Sequence, residues 1–569
     1  MDRRATLAAF FGKKENVATQ QATTQESRHT GARTAAVTSI FQVTSGLEPY
    51  AGSWAYEQAA HLLRRAMFGP TYAQIKAARD QGLNATVAQL FQDLPLPSPP
   101  VNYYFTDDPN VPVGSTWIDA PYSTTVNLAQ YRGRSFRGWT LGQVLQEGVS
   151  VREKMVLFWL NHFGISNVND PKFMYRHSNL VRTHAWGNFK QLIKEMTISP
   201  AILRFLNGNQ NTRIAPNENY ARELLELFTI GKGPQVGPGD YTHYTEGDVL
   251  QMAKVLTGWR DRGFNTNNPA TPVESFFQAN LHDTGQKQLS HRFDDAVINN
   301  MGNLEYAHLV DLIFQKDEVA RFISRKLYRW FIYYVITEDA EANVIEPMAQ
   351  LLIANNYELE PTLKALLSSA HFFDMLNVGP MIKNPLDFVA GAVKQFQVAM
   401  PPAEGALYNT WWRASTLLAP MEMDVYNLPS VAGWKAYYQE PLYYRSWITA
   451  STLPPRMNYT DALATVGILF NGFRVIINPL AFVATLETPT EVNAMIDEMA
   501  KILFPQPITD GQKVALKEVL LPGLPDYEWS LEYGDYLSNP NDVQLANAIA
   551  SKLRDLIQTM MSMSEYYLS

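Results

Sequence analysis

The sequence predicts a mainly α-helical protein, a large irregular helical array with long loops and little or no β-sheet. Three observations carry that prediction. Apolar residues recur at three- and four-residue intervals in stretch after stretch. Those stretches are bounded by capping residues on one side and by Gly or Pro on the other. The strongest two, 217–231 and 244–259, are tied by a Gly/Pro-rich loop and read as a helix pair. In the first of these, Tyr220, Ala221, Leu224, Leu225, Leu227 and Phe228 share one half of a helical wheel, while Glu218, Arg222, Glu223, Glu226 and Thr229 share the other. That helix stops at Gly231. The second starts at Thr245, whose hydroxyl caps the amide of Asp248, and runs through Leu256 to Gly258 and Trp259.

The other elements follow in order. Residues 15–50 are rich in Thr, Gln, Ser, Ala and Gly without helical period, so 1–50 is expected to be a flexible arm and 51–569 the body, divisible near 300 or 400. Helices are expected from Trp54 to Gly69-Pro70, from Thr71 to Gly82, and over ATVAQLFQDL. Residues 93–125 form a proline- and tyrosine-rich irregular passage, followed by the basic YRGRSFRGW at 131–139. Ser150 and Glu153 read as a capping box for an apolar helix that carries Asn161 and His162 into its last turn. A loop at 260–300 projects His282 and Asp283 together, and helices resume from Leu304, with Asn384-Pro385 starting another. Residues 400–460 turn aromatic and irregular. Trp434 and five further aromatic residues there suit a flat ligand such as a sugar ring, or simply cement the loop to a core.

Composition limits the function classes. With 569 residues and 46% hydrophobic content the chain can bury a large core, and a net charge of −8 gives no basic field for nucleic acid. The absence of cysteine excludes disulfides, thiolate metal sites and cysteine nucleophiles. No apolar run is long enough to span a bilayer; the best, 320–336, is broken by Arg321, Arg325, Lys326 and Arg329. Paired Arg3-Arg4 look like a degenerate twin-arginine export signal, but the apolar run after them is short, so the expected compartment is the cytoplasm with export as the alternative. No G-x-S-x-G elbow, phosphate loop or strand-linked G-x-G-x-x-G is present.

Five passages together resemble one family. HLLRRAMFG at 61–69, WLNHF at 159–163, the helix pair at 217–259, LHDTGQKQL at 281–289 and LPSVAGW at 428–434 are similar to the bacterial family of domain of unknown function 1800, over residues 54–569. The resemblance implies a mostly helical fold but no settled activity. It also implies a partner, a protein of the domain of unknown function 1501 family, which resembles alkaline phosphatases and sulfatases. Its recurrent polar positions correspond here to His61, Arg64, Arg65, Asn161, His162, Asn217, Glu218, Asn219, Arg222, Glu223, Glu226, His282, Asp283 and Lys287.

Three readings of these groups stay open. Glu223, Glu226, His162 and His282 are the candidate catalytic set, with His61, Arg64, Arg65, Asn161, Asn217, Glu218, Arg222, Asp283 and Trp434 as candidate ligand contacts. The enzyme reading is a metal-dependent or acid/base enzyme acting on an extended, carbohydrate-like substrate. His282, His162 and Glu223 would then hold a divalent metal, although their spacing matches no known metal signature. Alternatively, Glu218, Arg222 and Glu226 satisfy one another at four-residue spacing, with Arg64 or Arg65 beyond, as a structural network. The third is a non-catalytic binding or assembly protein working with the phosphatase-like partner. His282, placed in a loop, is expected to bind metal or ligand and to contribute only about 1 kcal/mol to stability.

Overall fold

A computed structural model describes residue 43 and residues 45–569. It is mainly α-helical, and among the described residues its strands form four antiparallel two-stranded pairs. Buried apolar side chains from Ala59 to Tyr567 form one contiguous cluster. Arg3, Arg4 and most of the expected arm lie outside the described residues. At its end, Leu47 N–H donates to Asn343 O at 3.0 Å and Tyr50 N–H to Ser368 O at 2.8 Å.

Several helix starts form as their capping residues dictate. Thr71 accepts from Gln74 N–H, Thr245 from Asp248 N–H, and Asn384 from Asp387 N–H, each satisfying an amide that has no partner within its own first turn. The expected capping box at Ser150 does not form. The Ser150 hydroxyl accepts from Arg152 N–H, but the Glu153 carboxylate turns inward to chelate Arg182 at 2.7 and 2.8 Å. A buried guanidinium is a stronger partner than an N-cap amide.

The basic passage at 131–139 lies within a long helix, Leu128–Gln146. Its glycines explain the packing: a Cβ on Gly138 would stand 2.8 Å from Tyr408 O, and one on Gly142 2.5 Å from the Trp411 ring. Four residues apart on one face, they let helix Glu404–Ser415 cross closely. That helix also interrupts the passage expected to be irregular from 400 to 460. The 260–300 loop carries two hairpins, Trp259–Arg262 with Glu274–Phe277 and Lys287–Gln288 with Val297–Ile298. Trp259 therefore opens a strand rather than closing a helix, which ends at Val255, with Gly258 at φ +91° making the corner. Between 93 and 125 the backbone is irregular apart from a bridge between Val101 and Thr116. Among the described residues no helix is long and apolar enough to cross a membrane.

The central helix is α-helical over Asn219–Glu223 and becomes a π-helix over Leu224–Thr229, with Ile230 N–H reaching back five residues to Leu225 O at 3.1 Å. Thr229 Oγ1 donates to Leu224 O in the same turn. A wider turn of this kind is uncommon and re-aims the side chains it carries.

Candidate functional site

The polar residues singled out in the sequence separate into buried junctions and one outward face. His282 is 2% exposed. Its Nε2 donates to Glu305 Oε1 at 3.0 Å, and its Nδ1 faces Thr257 O at 2.9 Å. Lys287, fully buried, donates to Glu305 Oε2 at 2.8 Å, and Met301 N–H also donates to that carboxylate. Both imidazole nitrogens are thus already engaged by buried oxygens, so neither can turn to a metal ion without giving up that contact. The histidine expected in a loop away from the core is instead part of a closed ionic junction. Asp283 helps from the rim: its amide donates to Thr257 Oγ1 and its carboxylate accepts from Gly285 N–H.

His162 occupies a second junction. Its Nε2 donates to Phe228 O at 3.1 Å, while Nδ1 accepts from Lys326 Nζ at 3.1 Å, and Lys326 also donates to Leu227 O at 2.8 Å. The helix Arg152–His162 is thereby fastened to the inner side of the π-turn. Burial, aided by the Lys326 charge, holds His162 well below its usual range and keeps it neutral. Burial likewise pushes Lys326 down to about 7. One position earlier, Asn161 Oδ1 accepts from Trp434 N–H at 2.9 Å. Gly433 at φ +92° allows this, because a Cβ there would lie 2.3 Å from Asn161 Oδ1. Trp434 is 1% exposed, so the aromatic passage at this point cements the loop and presents no platform.

The paired arginines near the start serve helix ends. Arg64 donates to the carbonyls of Lys501 and Ile502, in the last turn of helix Val492–Leu503, and Arg65 to those of Phe331 and Trp330, in the last turn of Glu318–Phe331. Cations there complement the negative end of a helix and satisfy carbonyls that the helix leaves open. His61 Nε2 donates to Phe372 O at 3.0 Å, and burial pushes its pKa down to about 3. None of these residues reaches the central helix pair.

The outward face is built differently. Arg222 pairs with Glu218 at 3.2 Å and, on the second helix, with Glu246 at 2.7 Å. Glu226 does not complete the expected four-residue row. It accepts from the Tyr244 hydroxyl at 3.0 Å and faces Lys232 at 3.7 Å. Asn217 caps its own turn by accepting from Asn219 N–H. Glu223 is half-buried, and among the described residues its carboxyl has no hydrogen bond or ion pair. Partial burial, reinforced by the Glu226 charge, raises its pKa. Tyr244, Lys232 and Glu246 were not singled out from the sequence, although Tyr244 and Glu246 flank the cap residue Thr245 that was.

The donor set does not fit a metal. His282, His162 and Glu223 are not brought together, and among the described residues no three His, Cys, Asp or Glu side chains form a group able to hold one. A cavity of about 280 Å³ lies on other residues, with Leu141, Val144, Met423 and Val425 as apolar lining, Thr140 and Tyr426 hydroxyls inside, and the Arg137–Asp424 pair at its rim. Neither a curated protein nor a solved structure matches the chain. The family model described as protein of unknown function (DUF1800) matches residues 61–568, and the chain belongs to that family.

Proposed function

We propose that the outward face of the central helix pair is an acid/base site, with Glu223 as the proton donor and Glu226 as the base, acting on a glycoside or ester within an extended substrate. The observation that carries this reading is the contrast between two carboxyl groups three residues apart. Glu223 is half-buried, unpaired and shifted towards its protonated form. Glu226 accepts from Tyr244 and faces an ammonium. Carboxyl groups whose environments differ in this way suit a division of labour, one giving a proton to a leaving oxygen while the other takes one from water. Glu223 closes the α-helical part and Glu226 sits on the π-turn that follows it, and the buried His162 and Lys326 brace that turn from behind without touching substrate.

The test is hydrolysis of a panel of oligosaccharides and alkyl esters. The wild type is expected to turn over at least one class, with the rate falling as pH rises through the titration of Glu223, and Glu223→Gln and Glu226→Gln are each expected to lose about 100-fold or more. Unchanged rates in both variants, or no turnover of any panel member, would remove the reading.

A second reading is favoured by the 280 Å³ cavity, whose lining shares no residue with the carboxylate face. In it the chain is a non-catalytic binding or assembly protein that works with a phosphatase- or sulfatase-like partner. Stable copurification with such a partner, with no turnover by this chain alone, supports that reading over the first.

A further inference from the structure

A third polar cluster lies apart from both the carboxylate face and the cavity. It is built where helix Leu453–Ala464, helix Pro385–Gln395 and the C-terminal turn Ser564–Tyr567 meet. Arg456 is 0% exposed, yet its Nε, Nη1 and Nη2 all lack a hydrogen-bond partner. Its guanidinium stands 4.9 Å from the centre of the Phe388 ring, which stacks on Tyr567 at 5.1 Å. The hydroxyls of Tyr566 and Tyr567 are buried and unpaired as well. Lys383 completes the wall, its Nζ 4.3 Å from the Tyr566 ring centre and donating to Tyr566 O at 2.7 Å.

The charge balance of this cluster is uneven. Asp387 is a carboxylate whose field reaches Arg456, Lys383, Lys154 and Arg65 together, and it already pairs with Lys154 and accepts from Asn384. Burial pushes Lys383 down to about 7 and Arg456 down to about 10, so the arginine remains charged at neutral pH. An unpaired buried guanidinium is costly, and cation–π contact with a single ring recovers only part of that cost. Its five N–H donors lie in a fork that matches a tetrahedral oxyanion better than a point acceptor, and the unpaired Tyr567 hydroxyl, within reach of its field, adds a donor.

We infer that Arg456, with the hydroxyl of Tyr567, forms an internal binding site for a small inorganic oxyanion of the phosphate or sulfate class. The anion would tie the C-terminal turn to the two helices, so its effect appears as stability rather than turnover. Thermal unfolding of the full chain in sodium phosphate, sodium sulfate and sodium chloride at matched ionic strength tests this, together with phosphate released on denaturation after gel filtration. The wild type is expected to gain Tm with oxyanion concentration beyond the chloride control and to release bound phosphate. Arg456→Met should lose both responses. Should that variant not fold, Tyr567→Phe keeps the ring and removes one donor, and is expected to need several-fold more phosphate for the same gain in Tm. Equal responses to oxyanion and chloride in the wild type, or an undiminished oxyanion response in both variants, would overturn the assignment.

Discussion

The His282 junction and the outer face of the central helix carry the same kinds of side chain, and they differ in saturation. At the junction every strong polar group has a partner: one imidazole nitrogen and an ammonium share a carboxylate, and the other imidazole nitrogen faces the Thr257 carbonyl. On the outer face Glu223 has no partner among the described residues, and Glu226 is only partly engaged. Buried charge survives folding when it is paired, whereas a half-exposed unpaired carboxyl is stable enough to persist and free to exchange a proton. A polar motif in the sequence is therefore structural or reactive according to whether its partners lie within the fold.

The comparison breaks most visibly at Glu305. Replacing it with Ala removes the carboxylate that His282 Nε2 and Lys287 share and leaves the buried Lys287 ammonium only the Asp283 carbonyl as a close acceptor, and an unfolding free energy lower by about 3–5 kcal/mol is expected in chemical denaturation. A loss below about 1 kcal/mol would show the junction to be loose. His282→Ala should cost about 2–4 kcal/mol rather than the small loss expected of a loop residue, since it removes two hydrogen bonds and opens a buried void.

Next in size is Gly433→Ala, which strains a positive-φ residue and drives a methyl group against Asn161. A loss of about 1–3 kcal/mol is expected, with Trp434 fluorescence reporting the displaced loop. An unperturbed Tm would mean that the 428–434 loop is not held by Asn161.

His162 sharpens the comparison through pH. Its folded pKa is depressed, so the unfolded chain takes up a proton first, and stability falls as pH drops below the ordinary value of 6.5. His61, depressed to about 3, and His177, depressed to about 4, add to the same slope. His162→Gln is expected to make the fall of Tm between pH 6.5 and 5 shallower, and an unchanged slope would count against a neutral, buried imidazole.

The smallest effect belongs to Glu223. Because its folded pKa is raised, its contribution is fully present below its ordinary 4.5 and is lost as pH rises through the folded value. Glu223→Gln should therefore raise Tm slightly at pH 7, by an amount worth no more than about 0.5 kcal/mol for so exposed a group, and leave it unchanged at pH 4.

Much of the fold was legible because helical period and caps are local. Thr71, Thr245 and Asn384 cap as their spacing requires. Helix Leu128–Gln146 was not legible, since its glycines and arginines mask a face shaped for close crossing by another helix. The site was less legible for a physical reason. The partner of His282 is Glu305, 23 residues on at the start of another helix, and the partner of Asn161 is the Trp434 amide, 273 residues away. Sequence spacing shows where charge lies, and saturation is decided only by what packs against it. Arg456 is illegible for the same reason, being an ordinary residue after two prolines until the C-terminal turn closes over it.

Carbodiimide coupling of a small amine to carboxyl groups, mapped by peptide mass spectrometry on the native protein at pH 6, tests the division between the two regions most directly. Reaction requires a protonated, reachable carboxyl group, so Glu223 is expected to be among the first residues modified while Glu305 stays unmodified until the chain unfolds. Modification of Glu305 in the native state, or a Glu223 that resists coupling until denaturation, would contradict the account.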